Sequence, residues 1–73
     1  MDTYRYHVII ERDEDGVYVA SCPALQGCYT QGDTYEEALS NIREAMQGHI
    51  ATRKQLGESI PAETAIEEVE VVA

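Results

Sequence analysis

Residues 27–34 read GCYTQGDT, and the reading of this stretch decides the fold. Gly27, four residues, Gly32 and a polar pair have the outline of a phosphate-binding loop, G-x-x-x-x-G-K-[ST], which follows a buried parallel strand and opens a helix. Here Asp33 occupies the lysine position, and Glu36 and Glu37 follow it. A phosphate site at a helix start relies on backbone amides and positive charge. Three carboxylates work against it, so the stretch is read as turn and cap: Gly27 and Gly32 turn the chain, and Asp33 or Thr34 caps a helix.

Downstream, Thr34 with Glu37 has capping-box spacing, and Asp33 with Glu36 offers a second register. Acids at 33, 36 and 37 suit the positive end of a helix dipole. Ala38, Leu39, Ile42, Ala45, Met46 and Ile50 recur at helical spacing and form one apolar face. Arg53 and Lys54 suit the last turn, and Gly57 supplies the stop. Gly48 weakens such a helix by about 1 kcal/mol relative to Ala, which suggests a close contact there.

Upstream, YRYHVIIER (4–12) alternates, with Tyr4, Tyr6, Val8 and Ile10 on one face and Arg5, His7, Ile9 and Glu11 on the other. Its β-branched and aromatic residues suit a strand. Asp15-Gly16 within DEDG (13–16) is a hairpin signal, and VYVASC (17–22) is the return strand, ended by Pro23. PALQG (23–27) reads as a loop and CYTQ (28–31) as a short third strand. After a loop at 57–64, AIEEVEVV (65–72) reads as a last strand, with Val69 and Val71 sharing a face. The expected architecture is α+β: a β-β-β-α-β two-layer domain, an antiparallel sheet with one helix packed on one face. One helix covers one face only, which leaves the other for water or a second chain.

The chain has 73 residues, read as a single domain over 1–73. A domain this small buries only about 60% of its unfolded surface, so a partner or an oligomer is expected. Five Lys and Arg against fourteen Asp and Glu give a net charge of −9. That field repels phosphate backbones and favours a basic protein partner. The opening MDTYRYHVII carries an early acid and too short an apolar run for a signal peptide, and no stretch reaches the roughly 20 apolar residues of a membrane span. A cytoplasmic location is expected.

Candidate chemistry is sparse. Cys22 and Cys28 are six apart rather than a C-x-x-C pair, and with His7 and His49 they make a weak metal set. They read better as small packed residues. Ser21, Ser40 and Ser59 sit in no nucleophile elbow and beside no evident base. No enzyme, cofactor or metal is expected. All five aromatics are tyrosines, at 4, 6, 18, 29 and 35. Tyrosine is enriched in interfaces, and Tyr4, Tyr6 and Tyr18 are the candidates for an oligomer interface.

Three segments together resemble the N-terminal domain of the HicB-family antitoxins: the acidic turn DEDG, the Cys-Pro-x-Leu-x-Gly-Cys run at 22–28, and TQGDT-x-EEAL-x-NI-x-EA from 30 to 45. The resemblance covers nearly the whole chain. It implies a partial RNase H-like layout without that enzyme's catalytic carboxylates in working order. It also implies an antitoxin of a type II toxin–antitoxin system, which binds and blocks a small basic mRNA-cleaving toxin of the HicA type. Catalysis in such a pair belongs to the toxin. Many family members carry a further C-terminal DNA-binding domain; here the sequence ends after the fourth expected strand, and no direct nucleic-acid binding is expected. Candidate toxin contacts are Asp13, Glu14 and Asp15 in the turn and Glu67, Glu68 and Glu70 in the tail. The alternative is an orphan HicB-like domain acting only as a homo-oligomeric interaction module, a dimer or tetramer.

Overall fold

The computed structural model describes residues 2–73. Three strands, β1 (Ile9–Arg12), β2 (Tyr18–Ser21) and β3 (Tyr29–Gly32), precede one helix, α1 (Tyr35–Gln55). The sheet is antiparallel in the order β1-β2-β3. This is the expected α+β arrangement. Ladder pairing in β1 covers only the end of the 4–12 stretch, but burial still alternates along it: Tyr4, Tyr6, Val8 and Ile10 are half-buried, while Arg5, His7, Ile9 and Glu11 are exposed. That is the period of an extended chain.

The β1–β2 turn differs from a two-residue loop. Gly16 has φ +81°, and among the described residues none other than glycine has positive φ. A type I′ turn would need positive φ at Asp15 as well. Instead Asp13 Oδ1 accepts the amides of Asp15 and Val17, each at 2.9 Å, and the Gly16 amide reaches the Asp13 carbonyl at 3.1 Å. The Asp13 side chain thus selects a wider turn with one left-handed glycine.

The helix begins and ends on local chemistry. Thr34 Oγ1 accepts the Glu37 amide at 3.1 Å. The Glu37 carboxylate reaches back to the amide of Asp33, one residue before the cap. At the far end Gly57 has φ +73°. The Glu58 amide donates to the Arg53 carbonyl at 2.8 Å and the Gly57 amide to Lys54 at 3.1 Å. This pair of bonds defines a Schellman motif. The Gly48 expectation changes: none of the described residues lies within 4 Å of the Cβ it lacks. The close approach is at Gly32, whose missing Cβ would sit 2.6 Å from the Ala38 backbone nitrogen.

Ala20, Cys22, Leu25, Cys28, Ala38 and Ile42 form the buried core, flanked by Tyr6, Val8, Ile10, Tyr18, Leu39, Met46 and Ile50. Leu25 lies in the 23–27 loop yet is fully buried. Its amide donates to the Cys22 carbonyl and its carbonyl accepts the Cys28 amide, both at 3.0 Å, so the loop folds inward as a plug. On β3, Asn41 of the helix donates to the Gln31 carbonyl at 2.9 Å.

The expected fourth strand does not form. Residues 65–72 have no ladder partner among the described residues and lie exposed, with Val69 76% and Val71 78% accessible. Alternation shows that a segment fits a pleated surface; it does not provide an edge to receive it. The approach to this segment also passes Pro61, which has no N–H to offer. No helix among the described residues is long and apolar enough to cross a membrane.

Candidate functional site

The sheet has one face under the helix and one open. Even-numbered residues of β1 and β2 point to the helix, and odd-numbered ones point away. Tyr6 and Tyr18 therefore lie on the covered face. Tyr6 packs on the core and donates its hydroxyl to the Pro61 carbonyl, and burial pushes its pKa up. Tyr18 meets Tyr35 edge-on at 6.5 Å, with the Arg12 guanidinium 5.6 Å from its ring centre. Tyr4 sits beside Lys54, whose ammonium lies 5.1 Å from its ring. The open face presents Ile9, Val19 and Tyr29 instead, across the register Ile9↔Ser21↔Tyr29 and Glu11↔Val19↔Gln31.

The acidic candidates fall into two groups. Asp13, Glu14 and Asp15 are exposed at the tip of the β1–β2 hairpin. The Asp13 carboxylate is committed to the turn, while Glu14 and Asp15 point no hydrogen bond at the rest of the chain among the described residues. Glu67, Glu68 and Glu70 are exposed along the tail. No hydrogen bond or ion pair links the two groups among the described residues.

A latch that local sequence rules do not signal fixes where the tail begins. Glu63 accepts the His7 backbone amide at 2.8 Å, and its other oxygen pairs with the His7 ring nitrogen Nδ1. The His7 hydrogen bonds, the backbone one foremost, hold the Glu63 carboxyl below its ordinary range. With Tyr6–Pro61, the latch lays residues 62–66 beside Val8, Ile9, Pro23 and Ala24.

The possible metal set is dispersed. Cys22 and Cys28 face each other across the end of β2 as free thiols in the core. Burial raises both pKa values. His7 is engaged by Glu63, and His49 accepts from Arg53 Nε at 2.9 Å on the helix. Among the described residues no group of three or more His, Cys, Asp or Glu is placed to hold an ion. The geometry offers surfaces: an open sheet face, an open sheet edge and exposed acids.

An antiparallel three-stranded sheet backed by one capped helix is an α+β two-layer domain. The chain belongs to the family described as the HicB-like antitoxin of bacterial toxin–antitoxin systems, whose model matches residues 6–72. It is 52% identical over 69 residues to a UPF0150 protein of Thermoplasma acidophilum, covering 94% of this chain and 99% of that one. It is 44% identical over 63 residues to a UPF0150 protein of Synechocystis, covering 86% and 80%. Among solved structures, the N-terminal domain of the Burkholderia pseudomallei antitoxin HicB superposes with a TM-score of 0.71 at 30% identity, covering 81% of this chain and 69% of that one.

Proposed function

We propose that this domain binds a small basic, mRNA-cleaving toxin of the HicA type and blocks it in the cytoplasm, with no enzymatic step of its own. The observation that carries the reading is membership of an antitoxin family by a chain of net charge −9 whose acids stand exposed at the hairpin tip and along the tail. A surface that grips RNA must be positive, and an acidic domain complements it. The exposed Asp13, Glu14, Asp15, Glu67, Glu68 and Glu70 steer that encounter. The same charge opposes direct binding of nucleic acid by this chain.

The test is co-expression with a HicA-type toxin, followed by titration calorimetry of the purified pair at two salt concentrations. Rescue of growth and a complex weakened by salt are expected. Changing the six acids to Asn or Gln should slow association and flatten the salt dependence. Absence of any complex at low salt overturns the reading. A second reading, a homo-oligomeric module that meets no toxin, is favoured by one observation: among the described residues β1 has a neighbour on one side only.

A further inference from the structure

The pairing of the hairpin fixes which backbone groups of β1 are free. The Asp13 amide donates to the Val17 carbonyl at 2.9 Å, and the register continues unbroken from Arg12↔Tyr18 to Ile9↔Ser21. Antiparallel partners alternate between hydrogen-bonded and non-hydrogen-bonded pairs. Asp13, Glu11 and Ile9 therefore turn their N–H and C=O groups toward β2. Arg12, Ile10 and Val8 turn theirs to the opposite side, where the sheet ends. His7 shares the parity of Ile9, so its amide points to the β2 side, beyond the end of β2, where Glu63 accepts it. The Glu63 contact thus lies on the β2 side of the strand, although residues 62–66 beyond it run beside Val8 and Ile9. No proline or glycine interrupts residues 4–15, so nothing of that kind blunts the edge.

The side chains along this edge are their own complement. On the solvent face the order is Arg5, His7, Ile9, Glu11, Asp13: cation, imidazole, apolar, acid, acid. Reversed, the row matches itself about Ile9. On the helix side the order is Tyr6, Val8, Ile10, Arg12. We infer that β1 is a dimerisation strand, on whose open edge a second copy of this chain pairs antiparallel with the two-fold axis at Ile9. His7, whose ring also meets Glu63 of its own chain, then stands opposite Glu11 of the second copy, and Arg5 stands opposite Asp13, whose Oδ1 holds the turn while Oδ2 is left for the guanidinium. On the helix side Val8 faces Ile10, and Tyr6 stands opposite Arg12, whose guanidinium lies 5.6 Å from the Tyr18 ring of its own chain.

Backbone parity agrees with this register. It sets Val8 opposite Ile10, two residues whose amides and carbonyls both point outward, so the ladder closes. The next registers in either direction set Ile9 against His7 or against Glu11, and one further step sets Glu11 against Glu11. The product is a continuous six-stranded sheet with both helices on one side. The seam runs beside the groove lined by Tyr6, Val8, Leu39, Met46 and Ile50, half-buried residues that gain cover from the added strand.

The experiment is sedimentation velocity on the full chain at micromolar concentration, paired with cysteine crosslinking. The wild type should run as a dimer of 8.1 kDa chains. Ile9→Lys sets two ammonium groups face to face at a pair whose Cα atoms lie about 4.5 Å apart, and should weaken the dimer by tenfold or more. Ile9 is 49% accessible on the solvent face, so an unchanged circular dichroism spectrum certifies the fold. Ile9→Cys, oxidised with copper–phenanthroline, should give a disulfide-linked dimer on a non-reducing gel. Glu11→Cys should not, because two residues four positions out of register lie roughly 13 Å apart. A monomeric wild type overturns the inference, whether or not a toxin strand is later found on this edge. So does an oligomer unmoved by Ile9→Lys, or crosslinking through residue 11 instead of residue 9.

Discussion

Gly32 and Ala38 meet backbone to backbone: a Cβ on Gly32 would stand 2.6 Å from the Ala38 nitrogen and 3.0 Å from the Glu37 carbonyl carbon. These atoms belong to the first turn of α1, so they cannot swing aside as a side chain would. Gly32→Ala should therefore push the helix off the sheet and cost about 1–3 kcal/mol or more. Gly48→Ala has the opposite sign. Its Cβ enters open space, and alanine in a helix interior should stabilise by about 0.5–1 kcal/mol. Urea midpoints of the two variants check the pair, and the prediction fails if both move the same way.

Thr34→Ala removes the acceptor of the Glu37 amide and should destabilise by about 1 kcal/mol. Thr34→Ser keeps that oxygen and should recover most of the loss. Thermal unfolding of the two variants, with a larger shift for alanine, is the comparison to make.

The Glu63 latch makes the start of the tail sensitive to acid. Its carboxyl is held below the ordinary value of 4.5 by the hydrogen bonds from His7. A depressed carboxyl contributes fully above its unfolded pKa, and the contribution is lost as pH falls through the lowered folded value. Amide resonances of Ala62 and Thr64 should shift together in the acid range below the ordinary carboxylate value of 4.5 as the tail lets go. Glu63→Gln should abolish that step while leaving the resonances of α1 in place.

Cys22 and Cys28 should be silent to thiol reagents in the folded chain, because both are buried and their pKa values are raised by that burial. Ellman's reagent should label two thiols promptly in denaturant and slowly without it. The sign of the shift adds a pH arm. A thiol with a raised folded pKa supports the fold below its ordinary value of 9.0 and withdraws that support as pH rises past it. Stability should fall on the alkaline side.

Leu25→Ala should cost about 2–5 kcal/mol, the range for emptying a buried aliphatic position. Leu25 is fully buried in the core, and the loop bonds to Cys22 and Cys28 hold it there. Denaturant titration measures the loss. A cost under about 1 kcal/mol would show that the loop closes over the gap.

Features written in local chemistry were legible in the sequence. Thr34, Glu37 and Gly57 placed the helix ends because caps act over three or four residues. Alternation placed β2 and β3 within one residue of where they pair, and β1 at its C-terminal end only, the 4–12 stretch starting five residues before its ladder. Local rules did not reach contacts made at a distance. Leu25 is a lone apolar residue between Pro23 and Gly27, and only the folded sheet shows that its loop turns inward. The Glu63–His7 latch joins residues 56 apart in the chain, beyond any spacing rule. AIEEVEVV has strand periodicity, yet pairing depends on an edge that the segment does not meet. For the site, the family motifs identified the class. The face that Tyr6 occupies was implicit in its parity with Val8 and Ile10, since the apolar side of a strand is the one a helix covers.

The bond from Asn41 to the Gln31 carbonyl bears on what this protein avoids. It occupies an acceptor on the outer rim of β3, on the side of the sheet away from β1. A sheet receptive on both rims can add chain after chain into a fibre. Here one rim is partly occupied by the protein's own helix, and pairing about a two-fold axis would consume the other. Growth would then stop at two chains, and a small acidic domain could present a bare strand without polymerising.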